Sequence, residues 1–368
     1  MTPRERFNNI MQFKPVDKLP VFEVEALTEQ AIRKWIQTEN FPIDRDGNAF
    51  FRYSQNVFTI PAGDQPPIPC FLPETVSRDG DTFIKRDKFG FLIKDFVGKN
   101  ISPLHYVYVG APLKTRADWE EMKKRFDPTD PRRVPVVHNA EYIERCNNGD
   151  RPVSLSITFG PARGIKNGYM FGFDQFLELI AEEPELFEDI FDFWSNFIIK
   201  FLDTHYKGLH LDAFTFHEDG MAYNASSMVG PNMFRELYKP YVRRVVDYVS
   251  RAHGTKTIGY YSSGNLKPLM PVMIESGINM TTPVEVQANM DVIELSNEFG
   301  KDMCYIGNIS RQAIMDGKDA IDKELQRKLQ VMFERGGFIP AVDDQLFPDM
   351  TFENAKYCID SMVDFKYK

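Results

Sequence analysis

The sequence lacks most of the marks by which function is read quickly. Its four cysteines, Cys70, Cys146, Cys304 and Cys358, stand far apart and form no Cys-x-x-Cys pair. That fits reduced thiols in a reducing compartment rather than a disulfide scaffold. The six histidines show no His-x-x-x-His spacing, so no metal cage is readable within a single helix, and no metal ligands are assigned. No run approaches the ~20 apolar residues that span a bilayer. The opening Thr2-Pro3-Arg4-Glu5 reads as a helix-capping box with no apolar stretch behind it. A cytoplasmic protein without a membrane partner is therefore the expectation. Basic charge is in deficit, with 44 Lys and Arg against 53 Asp and Glu for a net charge of −9. With no basic stripe in view, this argues against a nucleic-acid partner. No Gly-x-Gly-x-x-Gly follows the first apolar strand, which argues against dinucleotide binding.

What is present is an ordinary globular composition, 43% hydrophobic and 26% charged, rich in phenylalanine at 31 of 368 residues. Such a supply serves a Phe-rich core, and an aromatic-lined pocket can draw on it too. From about residue 150 onward, short β-type runs alternate with longer helical patterns. Strands are predicted at 152–159, 211–216, 256–261, 277–284, 303–306 and 337–342, with an N-terminal one at 19–24 and a poorly marked one near 56–60. Helices are predicted at 173–180, 184–206, 319–335 and 352–365, and from Pro231 to about residue 253, closed by Gly254. Strands joined by crossover helices run parallel, and seven or eight such units favour a closed (β/α)8 TIM barrel in the α/β class over an open sheet. Residues 73–98 differ: their Asp-Gly and Phe-Gly turns predict a small antiparallel β insertion, placed at about 61–130 of a single domain over 1–368, with an exposed helix at 114–126 on its edge.

In such a barrel the catalytic groups come from the C-terminal ends of the strands. The first strand offers Glu23 and Glu25, and the 152–159 strand runs into Arg163. The next ends in His217-Glu218-Asp219 with Tyr223 behind, and the following one in Tyr261, Ser263 and Asn265. Glu285, then Asn308, Ser310 and Arg311, and finally Asp343 and Asp344 complete the rim. Asp, Ser or Asn just before a helix also serves as an N-cap, and Arg163 could bind an anion or pair with one of the acids. Three adjacent titratable residues at 217–219 cannot all be caps. Tyr260 and Tyr261 point in opposite directions, so one of them should face the barrel axis.

Several segments carry a family likeness: Gly264-Asn265 after the Tyr-Tyr-Ser-Ser strand, Gly307-Asn308-Ile309-Ser310, and Gly336-Gly337-Phe338-Ile339-Pro340. Arg6-Phe7 with Pro15-Val16-Asp17-Lys18-Leu19-Pro20, and Pro231-x-Met233-Phe234-Arg235-Glu236, add to it. In order and spacing the chain resembles the uroporphyrinogen decarboxylase-like superfamily, and within it the corrinoid-dependent methyltransferases of the O-demethylase methyltransferase I type. The resemblance implies the (β/α)8 barrel independently of the strand count.

Two departures from the family pattern narrow the expected function. Where the decarboxylase grips propionates with Arg-x-x-x-Arg, this chain reads Val21-Phe22-Glu23-Val24-Glu25-Ala26-Leu27, and Ala341-Val342-Asp343-Asp344-Gln345 replaces a Gly-His-Gly. Where thiol-methylating relatives hold zinc with His, Cys and a later Cys, this chain has Tyr261, Ser263 and Asp344. Zinc-dependent methylcobamide:thiol transfer and porphyrinogen decarboxylation remain the alternatives, both disfavoured, and a non-catalytic corrinoid- or protein-binding barrel is a third. The resemblance implies methyl transfer from an O-methyl donor, a methoxylated aromatic, to cobalamin carried by a partner corrinoid protein in an anaerobic cytoplasm, with a homodimer compatible. Glu218, Asp219, His217, Tyr261 and Asp344 are the candidate catalytic residues. Glu23, Glu25, Arg163, Tyr223, Ser263, Asn265, Glu285 and Asn308 are the candidate substrate contacts.

Overall fold

Short runs such as Cys-Tyr-Ile-Gly-Asn-Ile and Phe-Ile-Pro-Ala-Val are buried at every position, the signature of parallel strands covered by helices. The computed structural model of the chain describes residues 1–22, 28–39, 41, 51, 58–60, 66–96, 107–159 and 173–368. Among the described residues seven parallel strands lie side by side in sequence order: β1 (Phe58–Ile60), β6 (Val153–Thr158), β7 (Ala213–His217), β8 (Thr257–Tyr261), β9 (Met280–Val284), β10 (Cys304–Ile309) and β11 (Phe338–Val342). Between the first two, β2 (Glu74–Asp79), β3 (Thr82–Arg86), β4 (Leu92–Phe96) and β5 (Val107–Gly110) form a separate antiparallel sheet. A parallel sheet wound in one direction, each strand beside its predecessor, is the wall of a (β/α)8 TIM barrel. Beyond β11 the extended residues 19–22 continue the ring, with the Phe22 amide donating to the Pro340 carbonyl at 3.3 Å. The rest of the expected 19–24 strand lies outside the described residues.

Alternation along each strand sorts side chains between the lumen and the helix layer. Phe216 and Tyr260 are paired in register and face outward: Phe216 meets Phe159 (5.1 Å between ring centroids), and Tyr260 meets Phe234 of the helix between β7 and β8 (6.3 Å). Thr215, Gly259 and Met280 share one layer of the opposite face. A Cβ on Gly259 would sit 2.4 Å from Met280 Cε and 2.6 Å from Thr215 Oγ1, so only glycine leaves room for the methionine that fills the lumen there. Much of the phenylalanine goes to the outer interface, where Phe187, Phe191, Phe197 and Phe201 of the helix Pro184–His205 are buried together with Trp194.

The helix after β7 begins at Pro231 and closes on Gly254 (φ 69°), whose amide donates to Val249, as its flanks predict. One π-helical turn, Phe234–Tyr238, interrupts it and sends Phe234 and Tyr238 into the core. The N-terminal Arg6 and Asp17 of the family-like opening are bound to one another by paired hydrogen bonds of 2.6 and 2.7 Å. Beside that guanidinium the Asp17 carboxyl is lowered to about 2.

The insertion departs from expectation in two ways. Its sheet has a fourth strand, β5, which sequence alternation did not announce. The helix expected to be exposed, Arg116–Lys123, is amphipathic and docked: Trp119 is fully buried, meets Phe193 edge-on at 5.2 Å and donates its Nε1–H to Asp189 at 2.9 Å. Its charged face hid two anchors, Trp119 and Met122, one turn apart. Among the described residues no helix is long and apolar enough to cross a membrane.

Removing this indole by Trp119→Ala is expected to lower the unfolding free energy by ~3–5 kcal/mol in a denaturant titration. A loss of less than about 1 kcal/mol would mean that the helix is the exposed element its charges suggest.

Candidate active site

His217 and Tyr261 end neighbouring strands in register, so both side chains lie on the lumen face. Both are partly exposed there, with ring centroids 4.0 Å apart and planes tilted by 44°. Glu218 is the next residue, and the same alternation turns it outward. It is completely buried. After burial itself, its charge is the main influence raising the phenols of Tyr238 and Tyr260, two fully buried rings on the outer side of the strands. The expectation that Glu218 is a proton donor at the mouth therefore meets a geometric obstacle: its carboxyl lies behind the barrel wall.

The other strand-end acids tie neighbouring turns together. Asp219 Oδ1, after β7, accepts from the Ser263 amide at 3.2 Å, and Glu285 Oε2, after β9, accepts from the Gly264 amide at 3.2 Å. The Ser-Ser-Gly-Asn turn after β8 is thus held from both sides by carboxylates. Gly264 adopts φ +87°, and a Cβ there would fall 2.6 Å from the Ala222 carbonyl carbon, so the turn needs glycine for conformation and for space. Asp343, fully buried after β11, accepts from the Val286 and Arg311 amides, each at 2.9 Å, and so joins the turns after β9 and β10. The Arg311 guanidinium pairs with Asp344.

This crowding shapes the acids' titration. Burial first, and then the Asp344 charge, push Glu285 up to about 7; the Gly264 amide and Arg311 pull the other way, while Asp343 adds to the rise. Burial also raises Asp343 to about 6, against the two amides, Arg311 and Lys328. Glu285 is only partly buried, so unlike Asp343 it is a raised acid that remains within reach of a ligand near neutral pH. Among the described residues no group of three or more His, Cys, Asp or Glu side chains is arranged to hold a metal ion.

The remaining sequence-derived candidates divide. Ser263 is partly exposed beside Tyr261, and Tyr223 is half exposed on the rim, its carbonyl accepting from the Asn265 amide at 2.9 Å. Asn265 turns its own Oδ1 back to the Lys267 amide at 3.1 Å, a local cap rather than a group aimed at the lumen. Asn308 is fully buried, with its Oδ1 accepting from Val292 and its Nδ2 donating to the Val284 and Met290 carbonyls. As a substrate contact it is corrected: both amide hydrogens are spent on holding the turn. Glu23, Glu25 and Arg163 lie outside the described residues. Sequence reasoning placed Asp343 and Arg311 at the rim without a role, and it missed Lys328, although a lysine inside the apolar stripe of Ile321, Leu325, Leu329 and Met332 was a legible signal.

The profile of the family Uroporphyrinogen decarboxylase (URO-D) matches residues 100–365, and the chain belongs to that family. Among solved structures, a methyltransferase from Methanosarcina mazei aligns over 99% of this chain and 99% of that one, with a TM-score of 0.63 and 17% sequence identity. At that identity the likeness speaks for the barrel. A putative vitamin-B12 independent methionine synthase from Listeria monocytogenes reaches a TM-score of 0.37 at 11% identity over 62% of this chain and 71% of that one, too slight a likeness to carry an argument. No curated protein matches the sequence.

An acid raised on folding loads the unfolded state with the advantage. Below the ordinary glutamate range both states are protonated; between there and about 7 only the unfolded chain ionises, so stability is lost as pH rises and the penalty is complete above Glu285's folded value. Glu285→Gln, which cannot ionise, is therefore expected to be more stable than the parent at pH 8 by ~1–3 kcal/mol, with the difference fading toward pH 4. Thermal melts across that range check it, and a pH-independent difference would contradict it.

Proposed function

We propose that this chain is a methyltransferase that takes the methyl group of an O-methyl donor, a methoxylated aromatic, and passes it to the cobalt of a corrinoid carried by a separate protein docked over the strand ends. The observation that carries this reading is Glu285, a partly buried carboxyl raised to about 7, at the same rim as an accessible imidazole–phenol pair. Family membership, the likeness to a methyltransferase barrel and the hydroxyls at positions 261 and 263 support it.

The chemistry follows from what an aryl methyl ether resists. Its methyl–oxygen bond breaks only if the oxygen leaves with both bonding electrons, and a phenolate is a poor leaving group until it is protonated or hydrogen-bonded. The reduced corrinoid supplies the nucleophile. The chain's own residues supply the proton and the alignment. Glu285, held near neutrality so that its protonated form is well populated at pH 7, donates to the departing oxygen and is left as the carboxylate, stabilised by the Gly264 amide. The His217 and Tyr261 rings offer a face for the aromatic ring and polar edges for its oxygen, while Ser263 and Tyr223 lie at positions to contact ring substituents. Asp219 holds the turn that carries Ser263, and Asp344 with Arg311 sets the charge around Glu285. Glu23, Glu25 and Arg163 are proposed substrate contacts on sequence grounds.

Thiol methylation finds less support, because thiolate activation calls for a soft metal site and Tyr261, Ser263 and Asp344 supply oxygen. Decarboxylation of a tetracarboxylate finds less support because the described strand ends are acidic and the Arg311 guanidinium is already paired.

Mixing the protein with methoxylated phenols and a reduced corrinoid protein is expected to release the free phenol as the cob(I)alamin absorbance disappears. Turnover should fall as pH rises through about 7, because the protonated form of Glu285 does the work. Glu285→Gln should lower kcat ~10²- to 10⁴-fold. Turnover of a thiol or a porphyrinogen with none of any methyl ether would sink the reading, as would full activity in the glutamine variant.

A further inference from the structure

A buried cation stands behind the acids of this site. Lys328 lies in the apolar stripe of the helix Lys318–Arg335, between Leu325 and Leu329, with its side chain completely inaccessible. Lysine is almost never fully buried unless its charge is paired, since burial penalises the charged form. Here that penalty pulls Lys328 below the ordinary lysine value, while Glu324 and Asp291 work to keep it charged. Its Nζ donates to the Asn308 carbonyl and to Glu324 Oε1, both at 2.5 Å, with Asp291 at 3.9 Å. Glu324 Oε1 in turn accepts from the Ser310 amide at 3.2 Å. The Lys328–Glu324 pair therefore grips the turn after β10 at Asn308 and at Ser310.

That turn is unusual. Asn308 adopts φ 62°, a left-handed conformation that asparagine reaches more readily than most residues and that its side-chain bonds to Val292, Val284 and Met290 hold here. Directly after Ser310 comes Arg311, whose amide meets Asp343 and whose guanidinium meets Asp344. Stability alone does not call for such a device. Replacing a whole buried ion pair with apolar side chains of similar size is often neutral or stabilising, and an apolar residue at 328 would only extend the existing stripe.

We propose that Lys328 is a positioning residue: by holding Asn308 directly and Ser310 through Glu324, it aims Arg311 at Asp343 and Asp344 and so fixes the electrostatic surroundings of Glu285. The activity arm of its test rests on the reading of Glu285 as the working acid; the titration arm does not. The charged and titratable groups facing Asp343 are Arg311 from the turn after β10, Lys328 from its helix, Glu285 after β9, Asp344 beside it, and Cys358 of the helix Phe352–Val363, whose thiol feels the Asp343 charge. Of these, Lys328 and Arg311 hold the Asp343 carboxyl down.

The experiment compares the parent, Lys328→Met, and the double variant Lys328→Met/Glu324→Leu, which removes the whole pair and keeps the proposal testable where the single variant folds poorly. Each is melted from about pH 4 to about pH 9 beside its Asp343→Asn counterpart, and the pH-dependent part of the difference reports the Asp343 titration. Loss of the cation and of its grip on the turn is expected to move that step upward in both variants, further in the single variant, where the Glu324 charge is left behind. Methyl transfer from a methoxylated phenol should fall about tenfold or more in kcat in both. A double variant with the parental pH step and parental turnover would overturn the proposal and reduce Lys328 to packing. If the parent itself transfers no methyl group, the functional reading fails, and the pH step alone decides the role of Lys328.

Discussion

The rim of the barrel is held by carboxylates that accept backbone amides from neighbouring turns. Asp219 reaches from β7 to the turn after β8, Glu285 reaches to the same turn from β9, and Asp343 reaches from β11 to the turns after β9 and β10. Parallel strands leave the amides of their connecting turns without ladder partners, and buried amides must find acceptors. Using carboxylates for that purpose brings negative charge to one end of the molecule, where burial and mutual repulsion press some of it into the protonated state. The polar rim and the raised acids are two results of one architectural solution.

The consequence for chemistry is a division of labour among acids that look alike in sequence. Asp343 is fully enclosed and spends both oxygens on amides, so it acts on the site through structure and charge. Asp344 is committed to Arg311. Glu218 lies behind the wall, among phenols. Glu285 has one oxygen on an amide and keeps partial exposure, and it faces a rim that also carries His217 and Tyr261. Holding such a group costs stability at neutral pH, which is how functional sites commonly differ from the rest of a fold.

Much of the fold was legible in the sequence, because alternation of strand and helix is a local signal repeated many times: six of the expected strands from residue 150 onward recur within a few residues of their expected bounds. What escaped depended on distant partners. The helix Arg116–Lys123 reads as charged and exposed until Phe193 and Asp189 are brought against Trp119. The π-helical turn buries Phe234 and Tyr238, whose spacing of four is also that of an ordinary α-helical face, so nothing in the sequence marks it. For the site, the strand ends were correctly placed, and the direction of each side chain was decidable only in pairs. His217 and Glu218 are consecutive, so one had to turn away from the lumen, and register with Tyr261 decides that it is Glu218. Asn265 and Asn308 were ambiguous between capping and binding, and their hydrogen bonds place both in the turns.

The central claim is that Glu285, at the barrel mouth, titrates near neutrality, so that a substantial fraction of it is protonated around pH 7. Infrared difference spectroscopy of the carboxylic C=O stretch, comparing the protein with Glu285→Gln across a pH series, reads that protonation without any substrate. The account predicts a protonated-carboxyl band that belongs to Glu285 and disappears with a midpoint near 7. Loss of the band near the ordinary glutamate value of ~4.3 would contradict it.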